Sequence, residues 1–418
     1  MRNRTTIGLA SLLLLLTHHL SSPRVSGADK KEVDRKAGIA AITVTGEVPD
    51  ELSMFTDLMV NFVAEHDLPG ASLAIAKGDK VIFSQGFGFA DREARRPVFP
   101  TTRFRIASLS KPITAVAVLR LVQQGKFKLD DRLVDVLELP PVIDGRIAQV
   151  TVRHLLQHHA GWDRSVSYDP MFRSVEMAKT LGRTAPADSR DVILYMTGER
   201  IDHVPGKRYA YSNFGYNLLG RIIEQQTGVS YSEFVQREIL HPLGISDMQI
   251  GATRSTAFHE AKYYSKYRGP SVFADNLGEE VPSQYGAWHL EAMDSHGAWI
   301  ASAIDLVRFS AALEDAPGKL LDAVHLVEMA ALNAKRPENL VDESWHYGLG
   351  WSIRPQGESY QRSHTGSLPG TSTLMARRAD GIHWVALFNQ RNTASNQRLS
   401  ATIEPLLEAA ADALLGKK

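Results

Sequence analysis

Cysteine is absent from the chain of 418 residues. Its absence excludes disulfides, thiol nucleophiles, lipid attachment at a cysteine and every cysteine-ligated metal site. An excess of charge is also missing, because Lys+Arg and Asp+Glu both number 47. No bulk electrostatic argument therefore favours nucleic acid or an anionic membrane as a partner. The sequence also lacks the Gly-x-Ser-x-Gly elbow typical of α/β-hydrolases, which disfavours that class of enzyme.

The N-terminus carries a short apolar run rather than a long one. Arg2 and Arg4 precede the apolar residues 7–16, and small residues follow at positions 26–28. This order is typical of a secretory signal peptide, and the run is too short to span a bilayer comfortably. We therefore predict a signal peptide over residues 1–28, a periplasmic or secreted mature protein, and no membrane span after cleavage. An uncleaved membrane anchor is the alternative.

The rest of the chain divides into a polar lead-in, two regions with strand patterns and a helical middle. Residues 29–50 are polar and predict a flexible lead-in, followed by one main domain over residues 51–418. Apolar residues at helical spacing predict helices, including one fully buried helix, over residues 51–66, 113–122 and 396–415. Short apolar runs bounded by turn residues predict strands at residues 71–76, 81–89, 349–353, 360–364, 372–377 and 383–389. This distribution predicts an α+β fold. One antiparallel sheet is formed from both chain ends, helices flank it, and an all-helical lobe is inserted over about residues 126–330.

The first candidate for chemistry is Ser108-Leu109-Ser110-Lys111, where the buried helix is expected to begin. A serine and a lysine three residues apart at a helix start lie on one face, so the Lys111 ammonium can reach the Ser108 hydroxyl. Free backbone N–H groups at the helix N-terminus also favour a developing anion. A capping serine followed by a solvated lysine is the alternative. Against it, a lysine in the first turn of an apolar helix must be paired or face a cavity.

Two further segments combine polar residues that can act on a substrate. Tyr211 and Asn213 are separated by one serine in an aromatic-rich segment, and His364 precedes Thr365, Gly366 and Ser367 at a strand end. A glycine beside a polar strand end allows another backbone or a ligand to approach closely. An aromatic loop before a helix and an ordinary strand-to-turn exit are the alternatives for these two segments.

Taken in order, these three segments resemble the three motifs of class C β-lactamases, D-peptidases and related esterases of the penicillin-binding superfamily. Flanking runs are similar as well, at residues 104–107, 155–161, 217–228, 242–244 and 347–351. The resemblance covers about residues 51–415. It implies a β-lactamase/transpeptidase-like catalytic domain, a serine hydrolase mechanism through an acyl-enzyme, and neither a cofactor nor a metal.

The resemblance also implies a role for each motif residue. Ser108 is the nucleophile, Lys111 and Tyr211 handle its proton, and Asn213 orients the substrate and Lys111. The backbone N–H groups of Ser108 and Ser367 form the oxyanion hole, and His364 and Gly366 belong to the substrate-binding wall. A Tyr211 phenolate at neutral pH needs its pKa lowered by about three units, or about 4 kcal/mol. One ammonium at about 4 Å supplies roughly that energy, and which of Lys111 and Tyr211 is the base stays open.

The sequence departs from the family pattern at His364, where class C β-lactamases and many relatives have lysine. A permanent cation there helps to anchor a carboxylate, and histidine is neutral above a pKa of about 6.5. We therefore rank a carboxylesterase or broad acyl hydrolase first. A D-amino-acid peptidase, carboxypeptidase or β-lactamase ranks second, so the expected substrate is a small ester, a β-lactam or a peptide. The physiological substrate and the oligomeric state do not follow from the sequence.

Two readings from other classes compete with a serine hydrolase. A zinc hydrolase could use His154 and His158 at helical spacing, although the segment lacks the glutamate that a metalloprotease helix needs as general base. A non-catalytic binding protein on the same fold is the other reading. It is disfavoured because Ser108, Lys111 and Tyr211 are all present.

Overall fold

The computed structural model describes residues 42–314, 318, 320–332 and 336–416. The predicted signal peptide over residues 1–28 and the first part of the predicted lead-in, residues 29–41, lie outside the described residues. Residues 42–50 were expected to be flexible, but Val44–Thr45 forms an edge strand of the main sheet. The Thr45 hydroxyl donates a hydrogen bond to the Val98 carbonyl at 2.6 Å, which fixes this segment against the domain.

The described residues contain fourteen strands and eleven α-helices. In chain order the strands are β1 (Val44–Thr45), β2 (Gly70–Lys77), β3 (Lys80–Asp91), β4 (Arg96–Pro97), β5 (Phe104–Arg105), β6 (Gln249–Ile250), β7 (Arg268–Pro270), β8 (Glu280–Pro282), β9 (Trp299–Ala301), β10 (His346–Tyr347), β11 (Ser352–Gln356), β12 (Ser359–Leu368), β13 (Thr371–Arg377) and β14 (Ile382–Phe388). The helices are α1 (Ser53–Glu65), α2 (Ser110–Gln123), α3 (Leu133–Val136), α4 (Val152–Leu156), α5 (Ser174–Thr180), α6 (Ser189–Thr197), α7 (Asn213–Thr227), α8 (Tyr231–Val235), α9 (Ala303–Ala311), α10 (Ala323–Ala330) and α11 (Leu399–Leu414).

The main sheet joins the two ends of the chain, as the strand patterns predict. Within the described residues it has nine strands in the order β1-β3-β2-β14-β13-β12-β11-β10, with β4 added beside β3. The joint is the antiparallel pair of β2 and β14, in which Ala71 lies opposite Phe388 and Lys77 opposite Ile382. The predicted antiparallel sheet is therefore confirmed.

Helices cover both faces of the sheet, which explains why its central strands are apolar throughout. Successive side chains of a strand point to opposite faces. Leu73 and Ile75 of β2 accordingly pack with residues of α1 and α11, whereas Ala74 and Ala76 belong to the core on the other face. Helix α9 packs on that second face against β2 and β14. The prediction of flanking helices is confirmed.

Helix α2 is the buried helix that the apolar run predicts, and it begins at Ser110, three residues before that run. Ser110–Leu119 and Leu121 are buried, so the first turn of α2 lies inside the protein. The early start places Lys111 within the helix and in the interior. Its ammonium group must therefore find polar partners there.

The inserted lobe is mainly helical, but it also contains short strands that the expectation of an all-helical lobe missed. Strands β5, β9 and β6 form one small sheet, and β7 and β8 form another. These strands have two or three residues each, too few to produce a recognisable alternation of apolar and polar residues. The pairing of β5 with β9 is important for the site, because it attaches the segment before Ser108 to the lobe. In the part of the chain that the structure describes, no helix is long and apolar enough to cross a membrane.

Candidate active site

The segment that carries Ser108 is held tightly between the main sheet and the lobe. After β5 the chain passes Ala107, whose φ of 49° is unusual for a residue other than glycine. It then enters a 3-10 turn over Ala107–Leu109 and continues into α2. Thr371 and Thr373 of β13 donate hydrogen bonds to the carbonyls of Arg105 and Ile106, both at 2.9 Å. These contacts support the left-handed backbone directly before Ser108.

Gly366 is required for the close approach of β12 to this segment. A Cβ atom on residue 366 would lie 2.3 Å from the Ile106 carbonyl oxygen and 2.2 Å from the Thr373 hydroxyl oxygen. No side chain fits at such distances. Glycine therefore lets β12 lie directly against the nucleophile segment.

The two serines of the first motif occupy different environments. The Ser110 hydroxyl is fully buried and donates a hydrogen bond to the Ala107 carbonyl at 2.8 Å. Ser108 instead lines an open cleft of about 470 Å³. Other predicted site residues line the same cleft, namely Tyr211, Asn213, His364 and Ser367. The structure thus brings the three sequence motifs together, with Lys111 beneath the cleft and Gly366 in its wall.

The Lys111 ammonium group makes three polar contacts in a buried setting. Its Nζ lies 2.8 Å from Asn213 Oδ1, 3.0 Å from the His296 carbonyl oxygen and 3.2 Å from Ser108 Oγ. Burial lowers the pKa of Lys111 well below its usual value, the Asp169 carboxylate opposes this, and Arg164 adds to it. Asn213 Oδ1 and the carbonyl can only accept hydrogen bonds, so Lys111 Nζ donates to both. Its third contact is with the Ser108 hydroxyl, toward which a neutral amine would direct its lone pair.

Asp169 completes this chain of contacts, and no motif in the sequence points to it. Its Oδ2 accepts a hydrogen bond from Asn213 Nδ2 at 2.6 Å, which leaves Asn213 Oδ1 for Lys111. Burial raises the pKa of Asp169, while the hydrogen bond from Asn213 and the nearby cations lower it. Asp169 also caps a short turn by accepting from the Met171 amide at 3.2 Å. An aspartate before a proline is typical of such a turn, so its sequence context points only to that role.

Tyr211 lies between two cationic side chains, and its pKa moves in the direction opposite to that required by a phenolate. Lys111 Nζ and Arg164 Cζ are each 4.8 Å from the centroid of the Tyr211 ring. The Lys111 ammonium thus faces the ring. Burial raises the pKa of Tyr211, and the hydrogen bond with Ser108 only partly opposes this. Burial therefore favours the neutral phenol of Tyr211 over the phenolate.

His158 packs against the Tyr211 ring, whereas His154 contributes to the cap of a helix. The His158 ring centroid lies 4.2 Å from that of Tyr211, and its Nδ1 accepts a hydrogen bond from the Ser212 amide at 3.2 Å. His154 takes part in the cap of α4 through Thr151. Within the described ranges, no group of three or more potential metal-ligating side chains is found.

Both ring nitrogens of His364 are engaged by protein groups. Nδ1 lies 2.8 Å from the Thr365 carbonyl oxygen, and Nε2 lies 2.8 Å from the Tyr347 hydroxyl. A carbonyl only accepts, so Nδ1 carries the hydrogen and Nε2 accepts from Tyr347. Burial lowers the pKa of His364 to about 3, and the charge of Lys111 contributes. His364 is therefore neutral even at pH 5.5, so the value of about 6.5 expected from the sequence is wrong for this buried ring.

The cleft is also lined by three arginines that sequence reasoning did not identify: Arg164, Arg391 and Arg398. Arg391 Nε donates a hydrogen bond to Ser367 Oγ at 2.9 Å, and Arg398 Nη1 donates to the same oxygen. Arginine is common in loops, so its type alone carries no signal. The folded chain brings Arg391 and Arg398 to Ser367 and Arg164 to the Tyr211 ring.

Among the described residues, no strand pairs with the edge of β12 beside the cleft. Strand β11 pairs with β12 only between Ser359 and Ser363, whereas β13 pairs with it as far as Leu368. In the described part of the chain, His364–Leu368 thus leave one side of their backbone open toward the cleft. This edge can bind an extended substrate through its main chain.

The sequence matches one family model and is similar to several known proteins. The beta-lactamase family model matches residues 55–406. Penicillin-binding protein 4* of Bacillus subtilis (strain 168) is 28% identical over 326 residues, covering 76% of this chain and 66% of that protein. The chain spans less than two thirds of the length of the curated relatives that it matches first.

Solved structures of similar proteins cover most of the chain. The D-amino acid amidase from Ochrobactrum anthropi SV3 complexed with L-phenylalanine amide superposes with a TM-score of 0.68 at 26% identity, covering 87% of this chain and 99% of the amidase. The octameric penicillin-binding protein homologue from Pyrococcus abyssi gives 0.67 at 25% identity, with 88% and 78% covered. The chain belongs to the beta-lactamase family. Its fold is the β-lactamase/transpeptidase-like fold of these solved structures.

Proposed function

We propose that this serine hydrolase forms an acyl-enzyme on Ser108 and that carboxylic esters are its first class of substrate. The observation that carries the proposal is the 3.2 Å contact between Lys111 Nζ and Ser108 Oγ. The other two contacts of Nζ are to acceptors, which supports a lone pair directed at the serine hydroxyl. A base in hydrogen-bond contact with a nucleophile is the arrangement that acyl transfer requires.

In the proposed acylation step, the Ser108 proton passes to Lys111 Nζ while Oγ bonds to the carbonyl carbon of the substrate. The carbonyl oxygen becomes an oxyanion, for which the backbone N–H groups of Ser108 and Ser367 are the proposed donors. The bond to the leaving oxygen then breaks, and the Lys111 proton returns to that oxygen through the Tyr211 hydroxyl. In deacylation, a water molecule loses a proton to Lys111 while its oxygen bonds to the acyl carbon. The bond between that carbon and Ser108 Oγ then breaks, Oγ takes the proton back from Lys111, and the carboxylic acid leaves.

Esters rank first because His364 offers no charge to a substrate. Its neutral ring is held by Tyr347 and the Thr365 carbonyl, so it leaves neutral esters unaffected and gives a carboxylate no ionic contact at that position. Removal of a permanent cation affects anionic substrates most. We therefore propose a carboxylesterase or broad acyl hydrolase as the first candidate.

An amidase or peptidase acting on D-amino acids is the second candidate. The open backbone edge at His364–Leu368 supports it, because a peptide can add to this edge as a further strand. The similarity to a D-amino acid amidase points in the same direction. For the cellular location, we propose the periplasm or the exterior of the cell, on the strength of the N-terminal sequence pattern.

A panel of substrates tests the ranking. p-Nitrophenyl acetate, a chromogenic cephalosporin, D-alanyl-D-alanine and D-phenylalanine amide are compared by kcat/KM, with Ser108→Ala as the blank for each. We expect the ester to give the largest value and the blank to lose all four activities. A larger kcat/KM for the amide or the dipeptide would make the D-amino-acid amidase or peptidase the first candidate instead. Turnover of the ester by Ser108→Ala would contradict the serine mechanism itself.

A further inference from the structure

Arg164 belongs to a loop that is anchored beside the cleft. Both carboxylate oxygens of Asp163 are used within this loop. Oδ1 accepts hydrogen bonds from the Ser165 amide at 2.9 Å and from its hydroxyl at 2.5 Å, and Oδ2 lies 2.9 Å from His203 Nε2. The Asp163 amide donates to Asp202 Oδ2 at 2.7 Å. These contacts fix the backbone on both sides of Arg164, and they leave the Asp163 carboxylate no oxygen for its guanidinium.

The Arg164 guanidinium lies over the Tyr211 ring. Its Cζ is 4.8 Å from the ring centroid, and the residue lines the active-site cleft. Among the described residues, no carboxylate forms an ion pair with Arg164. Arg173 differs in this respect, because it lies 4.7 Å from the centroid of the Tyr168 ring but is also paired with Glu176 at 2.8 Å. The charge of Arg164 therefore acts on the Tyr211 ring and on the groups around it.

Lys111 faces the same ring as Arg164. Its Nζ also lies 4.8 Å from the Tyr211 centroid, so the two cations are closer together than the screening length of about 10 Å at moderate salt. Like charges at this distance repel, and a guanidinium stays protonated at neutral pH. The repulsion is relieved when Lys111 is the neutral amine, which is the form that can accept the Ser108 proton. Arg164 accordingly lowers the pKa of Lys111, whereas Asp169 raises it.

The other titratable groups around Lys111 and Tyr211 are neutral at pH 7. Burial lowers the pKa of the neighbouring histidines and raises that of the neighbouring tyrosines, which are His158, His296, His364, Tyr209, Tyr216 and Tyr347. Asp169 and Arg164 are thus charged side chains of opposite sign that act on the same amine.

We propose that Arg164 is a positioning residue for proton transfer at Ser108. Its guanidinium holds the Tyr211 ring, and its charge favours the neutral, proton-accepting form of Lys111 against the opposing charge of Asp169. The inference rests on the proposed function, since it concerns the base of the same mechanism. Arg164 is exposed and Asp169 is partly buried, so salt screens the effect of the arginine more strongly.

The pH–rate profile for phenyl acetate tests this role, because a neutral ester offers Arg164 no charge to bind. Arg164→Gln should move the acid limb of kcat/KM to higher pH by about half a unit to one unit, since Lys111 then binds its proton more readily. Arg164→Lys keeps the charge and should move the limb less. The double variant Arg164→Gln/Asp169→Asn should have its limb between those of the single variants. High salt should move the wild-type limb toward that of Arg164→Gln.

Controls separate this inference from the proposed function. Arg173→Gln also removes an arginine from a tyrosine ring, but outside the cleft lining and beside its own carboxylate, so its limb should match the wild type. Circular dichroism at each pH restricts the comparison to folded protein. An unmoved limb in Arg164→Gln, with or without a lower rate, would overturn the inference. If Ser108→Ala is inactive in that case, the proposed serine mechanism still stands. If Ser108→Ala still hydrolyses phenyl acetate, the proposed function itself fails.

Discussion

Asp169 Oδ2 accepts a hydrogen bond of 2.6 Å from Asn213 Nδ2, and this contact determines which way the Asn213 amide faces. With the NH₂ group directed at Asp169, the amide oxygen is left to receive Lys111 Nζ at 2.8 Å. A reversed amide would present hydrogens to the lysine and force it to rearrange. Asp169 therefore acts as a positioning residue through Asn213, without touching Ser108.

Removing the Asp169 carboxylate should impair catalysis and shift its pH dependence. Asp169→Ala should lower kcat/KM for a neutral ester by about a hundredfold, because the amide is no longer oriented. Asp169→Asn keeps an acceptor and should lose less. Asp169 raises the pKa of Lys111, and Lys111 must be neutral to act as base. Both variants should therefore move the acid limb of the pH–rate profile to lower pH. A fall in rate with an unmoved limb would indicate a merely structural role.

Lys111 and Tyr211 should behave as one catalytic unit. Lys111→Met and Tyr211→Phe should each lower kcat/KM by about a thousandfold or more, because the proposed proton path needs both groups. The double variant should lose little beyond the larger single effect, since residues that act together are strongly non-additive. Multiplicative losses in the same ester assay would show that the two residues act independently.

Buried neutral histidines should make the fold sensitive to acid. Burial lowers the pKa of His158, His159, His296, His364 and His383. A histidine whose pKa is lower in the folded state binds more protons when unfolded, so its contribution is complete above pH 6.5 and is lost as pH falls from there. Each costs about 1.4 kcal/mol at pH 5.5. The free energy of unfolding in urea should therefore be lower at pH 5.5 than at pH 7.5.

A single substitution isolates one of these histidines. His383 is fully buried, and its Nδ1 lies 2.9 Å from the Ser310 hydroxyl. His383→Gln should reduce the difference in unfolding free energy between the two pH values by about 1.4 kcal/mol. His241→Gln, on an exposed residue, should leave the difference as in the wild type. An equal pH dependence in His383→Gln and wild type would contradict the assignment of a buried neutral ring.

The predicted signal peptide is tested on protein from the native host. The apolar run of residues 7–16 and the small residues at 26–28 predict cleavage near Ala28. N-terminal sequencing of the mature protein should begin close to Asp29. Recovery of a chain that still starts at Met1 would favour the membrane anchor instead.

The parts of the site that could be predicted from the sequence are those with fixed local spacing. Ser108 and Lys111 are three residues apart at the start of an apolar helix, and helix geometry alone brings them together. A lysine in the first turn of an apolar helix must also be paired or face a cavity, so polar partners for Lys111 could be predicted. Tyr211 and Asn213 were found through their motif rather than through their spacing, because no local rule relates residues 111 and 213.

The parts that were missed depend on tertiary contacts between distant segments. Asp169 and the His296 carbonyl meet Asn213 and Lys111 only after the lobe has folded onto α2. The neutral state of His364 follows from burial against Tyr347, which no sequence rule reveals. The same holds for the pKa of Tyr211, which burial raises although the phenolate hypothesis requires a lower value. The strands of two and three residues in the lobe could not be predicted, because they are too short to show an alternation of apolar and polar residues.

The central claim is that Ser108 forms the covalent intermediate. The most direct test is peptide mass spectrometry after treatment with a fluorophosphonate, on the wild type, Ser108→Ala and Ser110→Ala. Ser108 lines the cleft, and the Ser110 hydroxyl is buried against the Ala107 carbonyl. We predict one adduct, on Ser108, which is absent in Ser108→Ala and present in Ser110→Ala. An adduct on another residue, or ester turnover that survives in Ser108→Ala, would contradict the account.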